Sequence, residues 1–177
     1  MSRVLVTGGS GYLGTQLIAA LLRGGTPVRA TVRSLDREAA VRAALRRGAA
    51  DDAGLEVVAA RLTSDDGWAA ALDGCPEVYH VASPMIHSTD PDEVVIPARD
   101  GTVRVLRAAR DAGARRVVLT SSFAAVGYTP KPSAEYTEDD WTDPGTPGLP
   151  PTPGRRRLRS APPGISSSTR AVTRNSW

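Results

Sequence analysis

Three glycines near the start of the chain have the spacing of a phosphate-binding turn. Gly8, Gly11 and Gly14 recur every three residues, directly after an apolar run at 4–6 and at the start of a helical pattern at 13–21. A strand, a glycine turn and a helix in this order let the backbone approach a pyrophosphate, and the helix start offers it N–H groups and a positive dipole end. The sequence therefore predicts a dinucleotide-binding turn. An ordinary strand-to-helix turn would leave the regular spacing unexplained.

An arginine and three hydroxyl groups are candidates to complete such a site. Arg33 follows the second predicted strand, about 20 residues after the glycines, where an acid holds the ribose of NAD and an arginine favours the phosphate of NADP. Arg33 therefore predicts NADP over NAD; a solvated surface arginine is the alternative, and Asp36 is expected to belong to the next helix. Thr120, Ser121 and Ser122 close the fifth predicted strand, where a hydroxyl could bond to a substrate carbonyl or alcohol, although serine is more often a turn residue.

Other polar side chains predict no chemistry. His80 and His87 flank the end of the fourth predicted strand without a partner at metal-ligand spacing. We therefore expect no metal site, and we expect His80 to be a packed, hydrogen-bonded residue. Glu138, Asp139 and Asp140 form a charge run, which is typical of a solvated face.

Five apolar runs alternate with helical patterns along the chain. Strands are predicted over 4–6, 27–32, 55–60, 78–82 and 116–121, and helices over 13–21, 36–47, 65–72, capped by Ser64, and 94–112, ended by Gly113. Strands that alternate with helices on short connections predict an α/β fold, a doubly wound parallel sheet of Rossmann type in the order 3-2-1-4-5. Its ligand lies beyond the carboxyl ends of the strands, beside the first. Those ends carry the glycine turn, Arg33, Val81, Ala82, Ser83, Thr120, Ser121 and Ser122.

The basic charge of the chain is concentrated in its tail. The 177 residues carry a net charge of +3, but six of the 22 basic residues and no acidic residue lie from Pro151 onward, so residues 1–150 alone carry −3. Because no recognition fold accompanies the tail arginines, we expect no nucleic-acid partner. Of the 14 prolines, nine lie at or after Pro130. We therefore expect an incomplete nucleotide-binding domain over 1–143 and a disordered Pro- and Arg-rich tail over 144–177.

Composition also bounds the compartment. The chain opens directly into a strand, with no charged and apolar leader, and no apolar run is long enough to span a bilayer. The single cysteine, Cys75, excludes an internal disulfide. These features predict a cytoplasmic protein that does not enter a membrane.

Five segments of the chain together resemble one family. They are TGGSGYLG at 7–14, ATVR at 30–33, YHVASP at 79–84, GTVRVL at 101–106 and RVVLTSS at 116–122. In this order they resemble the extended short-chain dehydrogenase/reductases, within them the dihydroflavonol reductase and cinnamoyl-CoA reductase-like branch. The resemblance implies an oxidoreductase that reduces a small-molecule carbonyl, or oxidises an alcohol, with NADP(H).

The resemblance also implies roles for single residues. Gly8, Gly11, Tyr12 and Leu13 would contact the pyrophosphate, Arg33 the adenosine phosphate, and Val81, Ala82 and Ser83 the nicotinamide side, while Ser122 would be the catalytic serine. The family usually has Asp-Leu beside the adenine, where this chain has Arg61 and Leu62. Leu62 can still supply an apolar contact.

The family's catalytic Tyr-x-x-x-Lys signature is absent. In the family the tyrosine passes a proton to the carbonyl while hydride moves from the nicotinamide, and the lysine lowers the pKa of that tyrosine. Here Tyr128 is followed four residues later by Pro132 and Tyr136 by Asp140, and Lys131 is the only lysine. We therefore expect the chain to be inactive or impaired as an enzyme. The alternative is a module that binds or senses NADP without catalysis.

The tail suggests a reason for the missing signature. When the codons from Pro151 onward are read one base out of register, they permit Tyr-Ala-Arg-Ser-Lys-Thr-Leu-Ala-Glu, the family's catalytic segment. The tyrosine would stand at the place of Thr152 and the lysine at that of Arg156. The hypothesis is a truncation by frameshift, and it fails if restoring one base in the DNA near Pro151 opens no frame that continues into a substrate domain.

Overall fold

The computed structural model describes residues 2–84, 88, 90–131, 135–137, 139–143 and 146. Five parallel strands form one sheet, β1 (Val4–Thr7), β2 (Val28–Val32), β3 (Leu55–Ala59), β4 (Glu77–His80) and β5 (Arg116–Leu119). Their order is β3-β2-β1-β4-β5, which confirms the predicted fold class and strand order. His87, Glu138 and, apart from Thr146, the predicted tail lie outside the described residues.

Four helices supply the crossovers between these strands. They are α1 (Tyr12–Arg23), α2 (Glu38–Arg47), α3 (Trp68–Leu72) and α4 (Pro91–Asp111). Two 3-10 turns, Leu35–Arg37 and Phe123–Ala125, precede α2 and follow β5. α4 begins where the side chain of Asp90 accepts a hydrogen bond from the N–H of Asp92, and it stops before Gly113, as predicted.

The core lies on both faces of the sheet because neighbouring residues of a strand face opposite sides. Val4 and Val6 pack into a cluster with residues of α1 and α2, such as Ile18. Leu5, between them, packs into a second cluster with Trp68 of α3 and with residues of α4. β1 is therefore buried along its whole length, which explains why it reads as a continuous apolar run.

Several element boundaries differ from the sequence prediction. α3 begins at Trp68 and not at residue 65, since Gly67 adopts a φ of +82° that interrupts a helix, and the Ser64 hydroxyl instead accepts from the N–H of Asp66 at 3.2 Å. Ser64 therefore closes a local turn and does not cap α3. Asp36 lies in a 3-10 turn ahead of α2, and β4 ends at His80, since the next two N–H groups, those of Val81 and Ala82, donate to the side chain of Thr7.

One buried arginine joins β2 to α3. Nη1 of Arg29 donates to the carbonyl oxygens of Ala70, Ala71 and Asp73 at 3.0, 3.2 and 2.6 Å, and its Nε lies 3.0 Å from a carboxylate oxygen of Glu56. The last carbonyls of a helix lack partners within the helix. Arg29 satisfies them and fixes the end of α3 against the sheet.

We expect the Cys75 thiol to be inert in the folded protein. Cys75 is 3% exposed, and this burial raises the pKa of its thiol. Less of the reactive thiolate is therefore present at neutral pH. A thiol-reactive chromophore should label the native chain slower than the urea-unfolded chain by roughly tenfold or more. Because Cys75 is the only cysteine, the signal reports this residue alone. Equal labelling rates in the native and the unfolded chain would contradict the burial of Cys75 just before β4.

Candidate functional site

The strand order places four segments at one edge of the sheet. The crossovers from β1 and from β4 leave in opposite directions along the sheet, so the carboxyl ends of these neighbouring strands open a crevice. The glycine turn follows β1, Arg33 follows β2, Val81 to Ser83 follow β4, and Thr120 to Ser122 follow β5. The structure thus brings the sequence-predicted site residues to this edge.

The glycine turn is closely packed, and several of its positions, Gly8 and Gly14 among them, have no space for a side chain. Gly8 adopts a φ of +75°, and a Cβ there would lie 3.0 Å from Cα of Ala82. A Cβ at Gly14 would lie 2.3 Å from the carbonyl oxygen of Gly8. The turn therefore brings the start of α1 against the segment that follows β4.

The start of α1 fits an anionic group. Its N-cap is Gly11, no side chain caps the helix, and its first turn holds no acidic residue. The N–H groups of a helix start and its dipole favour negative charge. Tyr12 and Leu13 in this first turn are 84% and 51% exposed, so two large apolar side chains flank the same position. A dinucleotide lying over the turn matches this combination of charge and apolar surface.

Thr7, at the end of β1, organises the segment opposite the glycine turn. Its Oγ1 accepts from the N–H groups of Val81 and Ala82 at 3.1 and 3.0 Å and lies 2.7 Å from Nδ1 of His80. A hydroxyl oxygen has two lone pairs and one proton, so the proton must go to His80. The His80 ring is thereby assigned as the neutral tautomer with its proton on Nε2. His80 is buried and hydrogen-bonded, as predicted.

The sequence offered only a weak signal for the role of Thr7. It is a polar residue that ends an otherwise apolar strand, within the segment TGGSGYLG. Its partners lie 73 to 75 residues further along the chain. Pattern reasoning gave Thr7 no role, although it holds in place two of the residues expected beside the nicotinamide.

The hydroxyl residues after β5 are exposed at the same edge. The N–H of Thr120 donates to the carbonyl of His80 at 3.0 Å, which carries the β4–β5 pairing one residue beyond the strands. Oγ of Ser122 accepts from the N–H of Ala124 at 3.2 Å and so begins a 3-10 turn. This bond uses a lone pair of Ser122 and leaves its proton for another acceptor.

Two arginines meet at the ends of β2 and β3. The Arg33 side chain is exposed, and its carbonyl oxygen accepts from Nε of Arg61 at 3.0 Å. Asp36 lies nearby in sequence, but its carboxylate accepts from the Ser34 hydroxyl at 2.8 Å. Leu62 is half-buried and packs against the core cluster of α3 and α4. Leu62, Arg33 and Arg61 thus all lie at the carboxyl ends of β2 and β3.

The tyrosine and the lysine downstream are committed to structural contacts. The Tyr136 hydroxyl donates to the carbonyl of Thr129 at 3.1 Å, and Nζ of Lys131 lies 4.7 Å from the centre of the Tyr136 ring. Lys131 also pairs with Asp140, and this pair, with hydrogen bonds from Thr137, holds the pKa of the Asp140 carboxyl below its usual value. Asp139 is exposed and Asp140 partly exposed, and the Asp140 carboxylate in addition has these local partners.

Metal ligands and membrane-spanning helices both bear on the type of site. Within the residues that the structure describes, no group of three or more His, Cys, Asp and Glu side chains is placed to hold a metal ion. Over the same residues, no helix combines the length and the apolar character needed to cross a bilayer.

Comparison with known proteins gives matches over most of the chain. A model of the NAD dependent epimerase/dehydratase family matches residues 4–147, a range that contains all five segments of the resemblance. Dihydroflavonol 4-reductase from Hordeum vulgare is 38% identical over 143 residues, 79% of this chain and 40% of that protein. Cinnamoyl-CoA reductase CAD2 from Medicago truncatula is 39% identical over 132 residues, 73% of this chain and 40% of that protein. The chain spans about two fifths of the length of these curated relatives.

A solved structure shares the fold. Gre2 from Candida albicans, crystallised in complex with NADPH, superposes with a TM-score of 0.65 at 26% identity. The superposition covers 81% of this chain and 44% of that chain.

We expect Thr7→Val to destabilise the protein by about 2–4 kcal/mol, because it leaves the N–H groups of Val81 and Ala82 without their acceptor. The matched control is Thr102→Val, also buried, which removes one bond from the hydroxyl to the carbonyl of Ala98 at 2.8 Å and should cost about 1 kcal/mol. Urea unfolding measures both. Thr7→Ser keeps the hydroxyl and should recover most of the loss. Equal costs for the two valine variants would contradict the central role of Thr7.

Proposed function

The chain belongs to the NAD dependent epimerase/dehydratase family, as the resemblance to extended short-chain dehydrogenase/reductases predicted, and we propose that it forms the NADP(H)-binding part of a carbonyl reductase or alcohol dehydrogenase. One observation carries this proposal: the uncapped start of α1, packed through Gly8 and Gly14 against the segment after β4. Gly11, Tyr12 and Leu13 would hold the pyrophosphate there.

The remaining edge residues extend the proposed cofactor site in both directions. Arg33 and Leu62 would hold the adenosine half, and Val81, Ala82 and Ser83 the nicotinamide half. The exposed Arg33 side chain, together with an Asp36 carboxylate that already bonds to Ser34, favours NADP over NAD. The NADPH complex of Candida albicans Gre2 is in keeping with that choice.

The hydroxyls after β5 would orient a carbonyl substrate. NADPH, when bound, would supply hydride to the carbonyl carbon. Ser122, whose oxygen is fixed by the N–H of Ala124, can donate its proton in a hydrogen bond to the carbonyl oxygen. Thr120 and Ser121 are exposed beside it. The proposed substrate is a small molecule with a ketone, an aldehyde or an alcohol group, and the proposed compartment is the cytoplasm.

A second candidate function is an NADP-binding module that does not catalyse. It is favoured by the contacts of Tyr136, whose hydroxyl donates to the Thr129 carbonyl, and of Lys131, which pairs with Asp140. These contacts occupy the tyrosine hydroxyl and the lysine ammonium group, and neither contact involves Ser122. The pair therefore does not reproduce a tyrosine whose pKa is lowered by a lysine. Turnover separates the two candidates.

We expect NADPH to stabilise the folded chain more than NADH does. A ligand at 100 times its Kd that binds only the folded state adds about 2.7 kcal/mol, which raises Tm by roughly 5–10 °C for a chain of this size. Arg33→Ala should bring the NADPH shift closer to that of NADH, whereas Arg47→Ala, at the far end of α2, should leave it unchanged. Thermal melts of the unsubstituted chain and of both variants, each with NADPH and with NADH, measure these shifts. No shift with either dinucleotide would contradict the proposed function.

We expect the purified chain to oxidise NADPH with aldehydes or ketones far more slowly than ordinary enzymes, whose kcat is about 1–1000 s⁻¹. The physical reason is that Ser122 can orient a carbonyl, but Tyr136 and Lys131 are committed to other contacts. The decrease of NADPH absorbance across a panel of carbonyl compounds measures turnover. Rates in the ordinary range, lost in Ser122→Ala, would favour the enzyme over the binding module.

A further inference from the structure

We propose that Arg61 is a second phosphate-binding residue, which together with Arg33 recognises the 2′-phosphate of the adenosine ribose. This assignment rests on the proposed function, because it names the groups of the cofactor site that distinguish NADP from NAD. In the sequence, Arg61 stands out only as a departure from the family pattern. Four observations about its surroundings carry the assignment.

The backbone places Arg33 and Arg61 side by side. β2 and β3 are parallel neighbours in which Val32 is opposite Ala59, and the N–H of Ala60 donates to the carbonyl of Val32 at 3.0 Å. Arg33 directly follows Val32, and Arg61 directly follows Ala60, so both leave the sheet at its carboxyl edge. That edge is where a doubly wound sheet binds its ligand.

A direct hydrogen bond fixes the guanidinium of Arg61 beside Arg33. Nε of Arg61 donates to the carbonyl oxygen of Arg33 at 3.0 Å. This bond uses one of the five N–H donors of the guanidinium group. Its terminal Nη groups keep donors for an external anion, in the planar fork that matches a phosphate.

The loop that carries Arg61 is held by three contacts from the core side. The indole Nε1 of the buried Trp68 donates to the carbonyls of Arg61 and Ser64, each at 3.1 Å. Nη1 of Arg104 donates to the carbonyl of Leu62. A Cβ at Gly101 would lie 2.9 Å from Cβ of Leu62, so α4 packs directly against this loop. Arg61 therefore projects from a supported backbone, which favours a defined binding geometry.

The surrounding charges leave the two arginines available to an anion. No carboxylate among the residues that the structure describes forms an ion pair with Arg33 or Arg61. The acids closest in sequence are engaged: Asp36 accepts from Ser34, Asp65 pairs with Arg104, and Asp66 accepts from Ser64. Like charges that approach each other repel, and a phosphate bound by both arginines would replace that repulsion with attraction.

The test compares the two dinucleotides, which differ only in the 2′-phosphate. Isothermal titration of the full 177-residue chain with NADP⁺ and with NAD⁺ gives both Kd values. Arg61→Ala should weaken NADP⁺ binding by roughly tenfold or more, the size of one charge-assisted hydrogen bond, with NAD⁺ binding within about twofold of the unsubstituted chain. The matched control, Arg47→Ala, should change neither Kd.

A conservative variant guards against a merely structural effect. Arg61→Lys keeps the charge but loses the fixed fork, so it should retain part of the preference for NADP⁺, a few-fold above that of Arg61→Ala. Circular dichroism without ligand checks that both variants fold. If Arg61→Ala is unfolded, the Kd ratio of Arg61→Lys decides, and an unchanged ratio there overturns the assignment.

The outcomes distinguish this assignment from the proposed function. If the unsubstituted chain prefers NADP⁺ and only Arg33→Ala abolishes the preference, Arg61 has no part in it and the proposed function stands. If Arg61→Ala weakens both dinucleotides equally, Arg61 does not read the 2′-phosphate. If the unsubstituted chain binds neither dinucleotide, the proposed function and the Arg61 assignment both fail.

Discussion

The close contact between the Gly8 carbonyl and the backbone of Gly14 is the constraint on which the rest of the site depends. A side chain at residue 14 would begin 2.3 Å from that oxygen, and one at residue 8 would press on Cα of Ala82. Because neither Gly8 nor Gly14 has a side chain, β1, the start of α1 and the segment after β4 can converge at the switch point of the sheet. The open helix terminus and the residues that Thr7 positions meet at this convergence, and the hydroxyls after β5 join them through the bond from the Thr120 N–H to the His80 carbonyl.

The sequence predicted the sheet because buried parallel strands read as apolar runs, and the strand order because crossovers are right-handed. It could not predict contacts that depend on distant partners. Arg29 meets carbonyls 41 to 44 residues away, and Asp140 is held by Lys131 and Thr137, so neither follows from a local charge pattern. The start of α3 depended on the conformation of Gly67, which composition does not reveal. The roles given to Arg33, Ser83 and Ser122 stay predictions.

The charge balance of the chain gives the two arginines their significance. Residues 1–150 carry a net charge of −3, so carboxylates are in excess over that part of the chain. Arg33 and Arg61 nevertheless meet without an acidic partner among the described residues, while the acids near them in sequence bond to Ser34, Arg104 and Ser64. A shortage of acids does not account for this arrangement. Basic side chains without acidic partners are the arrangement expected at a binding site for an anionic ligand.

The Thr7 hydroxyl has a consequence for the order in which the molecule assembles. Its three partners, His80, Val81 and Ala82, are separated from it by 73 to 75 residues, so the loop that this contact closes spans more than a third of the chain. Contacts between residues so far apart form only after the entropy of closing the intervening loop has been overcome. The glycine turn occupies seven consecutive residues, yet its final geometry depends on contacts with a segment far along the chain. During synthesis, that geometry has to wait until β4 has emerged from the ribosome and docked beside β1.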